Sequence, residues 1–161
     1  MDANQHIQSL LQTIGQGKMS NLSYDTAWIA RLGEIDWGLG SRALAWLSEN
    51  QLPDGSWGAA MPYYYHDRVI STLAAMVALT RRGRRSHDRE QIEAGLIALD
   101  RITKGATRGL QADPNGATVG FEMIAPTLVE EAEALGIIRQ QKDRILGRHS
   151  RMRAKKLEML K

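Results

Sequence analysis

The sequence predicts an all-α protein built from antiparallel helix pairs, and three observations carry that prediction. Apolar residues recur at helical intervals in segment after segment, while no stretch shows the alternation of a half-buried strand. Glycine, proline and short polar runs fall between the periodic segments, where helices end. At 161 residues, with 43% hydrophobic and 24% charged residues, the chain can bury one core, and no linker divides it.

The elements follow in order. Ile7, Leu10, Leu11 and Ile14 predict a short first helix that stops at Gly15 and Gly17. Ser23 is the expected N-cap of a second helix, with Asp25 in its first turn and Ala27 to Leu32 continuing it. Ser41 is expected to cap a third, carrying Leu44, Trp46 and Leu47 and ending before the turn residues Pro53, Asp54 and Gly55. Asp67 is expected to cap a strongly apolar helix on Val69, Ile70, Leu73, Ala74, Met76, Val77 and Leu79, which ends at the arginines around Gly83. Ile92, Leu96 and Leu99 predict the next, from Asp88 to Ile102. The glycine-rich stretch "GATRGLQADPNGATVG" reads as a polar loop, followed by helices over Met123–Leu135 and Gln140–Leu160 that part near Gly136.

Composition removes several function classes. With no cysteine, a disulfide framework, thiolate metal sites and a cysteine nucleophile are excluded. No apolar run approaches the roughly 20 residues of a membrane span, and the opening "MDANQHIQSLLQTIG" lacks the apolar core of a secretory signal. A cytoplasmic protein is expected. The net charge of +3 is mild but clustered, in "RRGRRSHDR" and between Lys142 and Lys161. No aromatic residue is interleaved with either cluster, so nucleic acid is not an expected partner. The arginines from Arg81 to Arg89 are expected to form a solvated helix face.

Two signatures flank the third predicted helix, "SYDTAW" (Ser23 to Trp28) and "QLPDGSWG" (Gln51 to Gly58). Asp25 and Asp54 each lack a second carboxylate at ligand spacing. Gly55 permits a positive backbone angle, Asp54 can bond its own turn, and Gln51 can bind backbone at a helix end. Trp57 brings a large apolar body and one N–H to satisfy. Structural roles are therefore expected for Tyr24, Asp25, Trp28, Gln51, Asp54, Gly55 and Trp57. His66 stands beside Asp67 with no nucleophile near it, and a structural role is expected for it too. Tyr63, Tyr64 and Tyr65 could line an apolar cleft and face a cation, with at least one of the three expected as ordinary core.

"QLPDGSWG" resembles the QW motif of triterpene and diterpene cyclases. "SYDTAW", "QLPDGSWG", "HDRVISTLAAMVAL" and "VGFEMIAPTLVEEAEALGI", in that order, resemble the N-terminal part of class II diterpene cyclases of the copalyl and halimadienyl diphosphate synthase type. The resemblance implies an α/α-barrel-like γ domain over residues 19–161, preceded at residues 1–18 by a helix associated with the β domain. It implies protonation-initiated cyclisation of geranylgeranyl diphosphate with the diphosphate retained, using Mg²⁺. The family's acid, an Asp-x-Asp-Asp motif in the β domain, occurs nowhere in this sequence. The chain alone is thus expected to be inactive. It is either an excised domain or a γ subunit whose partner is a β-domain polypeptide. The alternative is a non-catalytic helical scaffold derived from the same fold.

Carried over by position, the resemblance points to Glu122, and with it Asp113, for Mg²⁺ and diphosphate binding. A carboxylate in the first turn of a helix is also favoured simply by the dipole. Lys156 stands on the expected helical stripe of Ile145, His149, Met152 and Leu160, where an ammonium is costly without an anion. The resemblance places it where these cyclases carry a lysine that contacts the substrate diphosphate. A lysine whose stem covers apolar surface while its head stays wet is the competing reading.

Overall fold

The computed structural model describes residue 5 and residues 22–60, 64–83, 85–105, 120–139, 142–146, 153–154 and 157–159. The described helices are α1 (Ser23–Arg31), α2 (Trp37–Glu49), α3 (Tyr65–Arg82), α4 (Ser86–Gly105), α5 (Phe121–Ala134) and α6 (Lys142–Leu146), with a 3₁₀ turn at Leu32–Glu34. Among the described residues there is no strand, and no helix is long and apolar enough to cross a membrane.

Helix α3 organises the rest. Every residue from Arg68 to Leu79 is buried, so this helix has no solvent face along its middle. Its small residues, Ala74, Ala75 and Ala78, let neighbours approach, while Leu73, Met76 and Leu79 fill the space between them. Helices α1, α4 and α5 all pack against it.

Contacts between residues fix the directions. His66 meets Phe121 near the start of α3 and of α5. Toward the other end, Arg31 of α1 and Arg81 of α3 both reach Glu131 of α5. Helices α1, α3 and α5 therefore run in the same sense. Gly95 of α4 lies against Met76 of α3, and Gly83 after α3 lies against Asp88 of α4, so α4 returns antiparallel. Helix α2 packs chiefly on α1, on the outside. An inner layer of parallel helices with outer return helices is the arrangement of an α/α-barrel segment, as the sequence predicts.

Several local expectations are corrected. Ser23 is the first residue of α1 and is buried; Leu22 takes the cap position, and its carbonyl accepts from the Thr26 amide at 2.9 Å. Helix α2 starts at Trp37 rather than beyond Ser41, because Asp36 is the cap and its Oδ1 accepts from the Leu39 amide at 2.9 Å. Gly38 and Gly40 in "WGLG" read as breakers, yet both are helical, and Gly40 is buried against Gly33. Asp67 does not cap α3. It lies in the first turn and accepts from the Ala59 amide at 2.9 Å and Ser71 Oγ at 3.1 Å, anchoring the preceding loop.

The run from Arg81 to Arg89 is not one solvated face. It crosses from the end of α3 into α4, and Arg81, Arg82 and Arg85 are ion-paired with Glu131 (2.6 Å), Glu34 (3.2 Å) and Asp88 (2.9 Å). Within the predicted Gln140–Leu160 helix, residues 142–146, 153–154 and 157–159 are helical. The predicted first helix on Ile7 to Ile14, Tyr63, the loop carrying Asp113, and Lys156 lie outside the described residues.

Candidate functional site

The "QLPDGSWG" turn is a staple, as its residue types suggest. Gly55 has φ +86°, and a Cβ there would meet the Ala94 carbonyl oxygen at 2.6 Å, so both conformation and space require glycine. Asp54 Oδ1 accepts from the Ser56 amide at 3.0 Å and Ser56 Oγ at 2.6 Å, while Oδ2 pairs with the buried Arg68. Burial pushes the Asp54 carboxyl up. The Ser56 hydrogen bonds and the Arg68 guanidinium outweigh that and hold it below the ordinary carboxylate value. Gln51 Nε2 donates to the carbonyls of Gly55 (2.8 Å) and Gln91 (2.9 Å), and Gln91 Nε2 in turn donates to the Ser48 carbonyl at 2.7 Å. Trp57 is fully buried; its amide donates to Thr72 Oγ1 at 3.0 Å and its Nε1 to the Leu47 carbonyl at 2.7 Å. All of this joins α2, α3 and α4 and leaves no group free to react with a substrate.

Of the expected site residues Glu122, Asp113 and Lys156, the structure describes Glu122, at the start of α5. Gly120 caps it with φ +81°, which turns Phe121 into the core and places Glu122 in the first turn, 8% exposed. Phe121 stacks edge-on against His66 at 4.6 Å between ring centres, and His66 in turn meets Tyr64 at 5.2 Å and Tyr65 at 5.5 Å. The described part of the "YYY" run therefore lies beside the "GFE" segment, more than fifty positions away in sequence. His66 is a buried packing residue here.

Helices α5 and α1 flank an apolar hollow of about 240 Å³ lined by Tyr24, Trp28, Met123, Ile124, Thr127 and Leu128, with Glu122 outside its lining. Tyr24 and Trp28, two aromatic positions of "SYDTAW", stand edge to face at 6.3 Å, and the Arg31 guanidinium covers the Trp28 ring at 4.0 Å. Asp25 is exposed in the first turn of α1 and lines none of this hollow. An apolar, aromatic-walled hollow suits the apolar body of a ligand.

Magnesium can be tested against these donors. Among the described residues no three carboxylates or histidines converge, so a cage made of protein alone is not offered. A Mg²⁺ held by one or two carboxylates together with phosphate oxygens and water needs no such cage, and Glu122 supplies a suitable hard oxygen ligand. Asp113 and Lys156 lie outside the described residues, so the structure does not place them against Glu122.

Sequence reasoning missed two features. Glu131 binds two guanidinium groups at once, a pairing that joins residues far apart in the chain and has no local motif. Trp37, which no motif singles out, is 77% exposed beside a second cavity.

No family model matches the chain. It is 50% identical over 147 residues to the type B diterpene cyclase of Mycobacterium tuberculosis, a match covering 91% of this chain and 29% of that protein. It is 39% identical over 135 residues to ent-copalyl diphosphate synthase 2 of Zea mays, covering 81% of this chain and 16% of that protein. Among solved structures, ent-copalyl diphosphate synthase from Arabidopsis thaliana superposes with a TM-score of 0.68 and 30% identity over 96% of this chain and 22% of that one. Abietadiene synthase from Abies grandis superposes with a TM-score of 0.73 and 25% identity over 99% of this chain and 22% of that one. The chain spans only these fractions of its relatives. In sequence and fold together, it is similar to a portion of a diterpene cyclase of the copalyl diphosphate synthase type.

Proposed function

We propose that the chain is the γ portion of a class II diterpene cyclase that cyclises geranylgeranyl diphosphate by protonation, with the diphosphate retained. The observation that carries this reading is the match over 91% of the chain to a diterpene cyclase at 50% identity. The Arabidopsis structure, similar over 96% of this chain, holds an aza analogue described as a dihydrogeranylgeranyl thiolodiphosphate, a C20 chain on a diphosphate-like group. The apolar part of that ligand suits the apolar hollow between α1 and α5.

The partner in this reading is a β-domain polypeptide carrying Asp-x-Asp-Asp, in the same chain or as a separate subunit. The proton donor resides there, because no Asp-x-Asp-Asp occurs in these 161 residues. Bound Mg²⁺ supplies charge neutralisation of the diphosphate. This chain's own residues bind and orient: Glu122 offers a carboxylate oxygen, with Asp113 as a second, and Lys156 offers a point positive charge to phosphate oxygens. Tyr24 and Trp28 present aromatic surface beside the apolar chain, which also keeps water from it.

The test of this assignment is kcat/KM for geranylgeranyl diphosphate in the assembled enzyme carrying Glu122→Gln or Lys156→Ala, beside a thermal melt of each variant. A fall of about tenfold or more, with the melt unchanged, supports diphosphate binding by these residues. Unchanged kinetics remove them from the site.

A further inference from the structure

A second cavity, of about 430 Å³, opens at the opposite end of α3. Its lining includes Trp37 and Leu44 of α2, Arg81 and Arg82 at the end of α3, and Arg85 and Asp88 at the start of α4. Helix α3 has 18 residues, so at 1.5 Å per residue about 27 Å separates this cavity from the Phe121–Glu122 end. Nothing in the proposed cyclase reading uses it.

Its size falls in the range of small-molecule sites, about 300–1,000 Å³. Its chemistry has two halves. One is cationic: the lining carries three guanidinium groups and one carboxylate, with Arg82 paired to Glu34 at 3.2 Å and Arg85 to Asp88 at 2.9 Å. The Arg81 partner does not neutralise it, because Glu131 Oε1 accepts from Arg31 and from Arg81, each at 2.6 Å. Arg85 holds Asp88 through Nε and Nη2 and is 59% exposed at its side chain. The other half is flat and apolar. Trp37 is 77% exposed, an unusual state for an indole unless its face has a use, and Leu44 floors the cavity beside it.

We propose that this cavity binds an organic phosphate carrying a flat ring, the chemical class of a nucleotide. The phosphate lies on Arg81 and Arg85, and the ring lies against Trp37. A phosphate monoester carries about −1.5 to −2 charge at neutral pH, which complements the guanidinium charge that Glu131, shared between Arg31 and Arg81, leaves uncompensated. Guanidinium groups recognise phosphate with paired, directional N–H donors. An extended hydrocarbon chain is a poorer fit, since the apolar lining is short and bounded by arginines.

The test is isothermal titration calorimetry of the whole chain at low salt with AMP, ribose 5-phosphate, adenosine and inorganic phosphate. It needs neither a partner polypeptide nor Mg²⁺, so its failure and that of the cyclase reading are distinguishable. AMP should bind about tenfold more tightly than ribose 5-phosphate or adenosine, and Trp37→Ala should lower AMP to the level of ribose 5-phosphate. Arg85→Gln should lower AMP toward adenosine. Because Trp37 is so exposed, Trp37→Ala should melt as the parent does, and it keeps the test decisive even where loss of Arg85 disturbs Asp88. AMP binding no tighter than inorganic phosphate, or unaffected by Trp37→Ala, overturns the proposal. So does farnesyl diphosphate binding as tightly as AMP with the same dependence on Trp37.

Discussion

The indole Nε1 of Trp57 donates to the Leu47 carbonyl at 2.7 Å, and the ring is fully buried. Leu47 stands in the last turn of α2, where carbonyls lack intrahelical partners, so the bond satisfies two buried groups at once. Trp57→Ala should therefore destabilise the protein by about 3–5 kcal/mol, the range for losing a large buried aromatic. Trp57→Phe separates the two contributions, since it keeps most of the packing and strands the Leu47 carbonyl. Denaturant midpoints measure both; a parent-like midpoint for Trp57→Ala contradicts the staple.

The same turn sets an acid dependence. Asp54 has its carboxyl held below the usual value, so its contribution to stability is fully present above the ordinary aspartate range and is lost as pH falls through the folded value. Relative to Asp54→Asn, the parent should be more stable at neutral pH, and the difference should shrink as pH drops below about 4. Melting both proteins across that window checks the sign. An advantage that grows on acidification contradicts it.

Glu131 ties three parallel helices. Its side chain is 14% exposed, while those of Arg31 and Arg81 are 20% and 45% exposed. Glu131→Ala leaves two guanidinium groups crowded without their carboxylate, and should cost about 1–3 kcal/mol, less than for a fully buried pair. Arg81→Ala should cost less than Glu131→Ala, since Arg31 keeps the carboxylate. Equal effects in a denaturant series mean that Arg31 contributes nothing.

Legibility in the sequence followed locality. The helices, the turn at Pro53 to Gly55 and the Trp57 staple were readable because each depends on residues within a few positions of one another. Cap positions were not: Ser23, Ser41 and Asp67 are plausible caps by type, but tertiary contacts put Ser23 into the core and turned Asp67 onto Ala59 and Ser71. The "WGLG" start of α2 misled because buried glycine in a helix reads locally as a breaker, whereas Gly40 is needed for contact with Gly33. The first-turn position of Glu122 was legible through "GFE". The hollow between α1 and α5 was not, because Tyr24 and Trp28 meet Met123 and Ile124 only after the two helices align.

The central claim is that this chain supplies one part of a cyclase and that the acid lies in another. The direct measurement is product formation from geranylgeranyl diphosphate and Mg²⁺, read after dephosphorylation, with the chain alone and with a β-domain polypeptide carrying Asp-x-Asp-Asp. The account predicts no cyclised product from the chain alone and a cyclic C20 alcohol from the pair, abolished when the partner's acid motif is changed to asparagines. Cyclised product from the pure chain, or none from the pair under conditions in which the two bind each other, contradicts it.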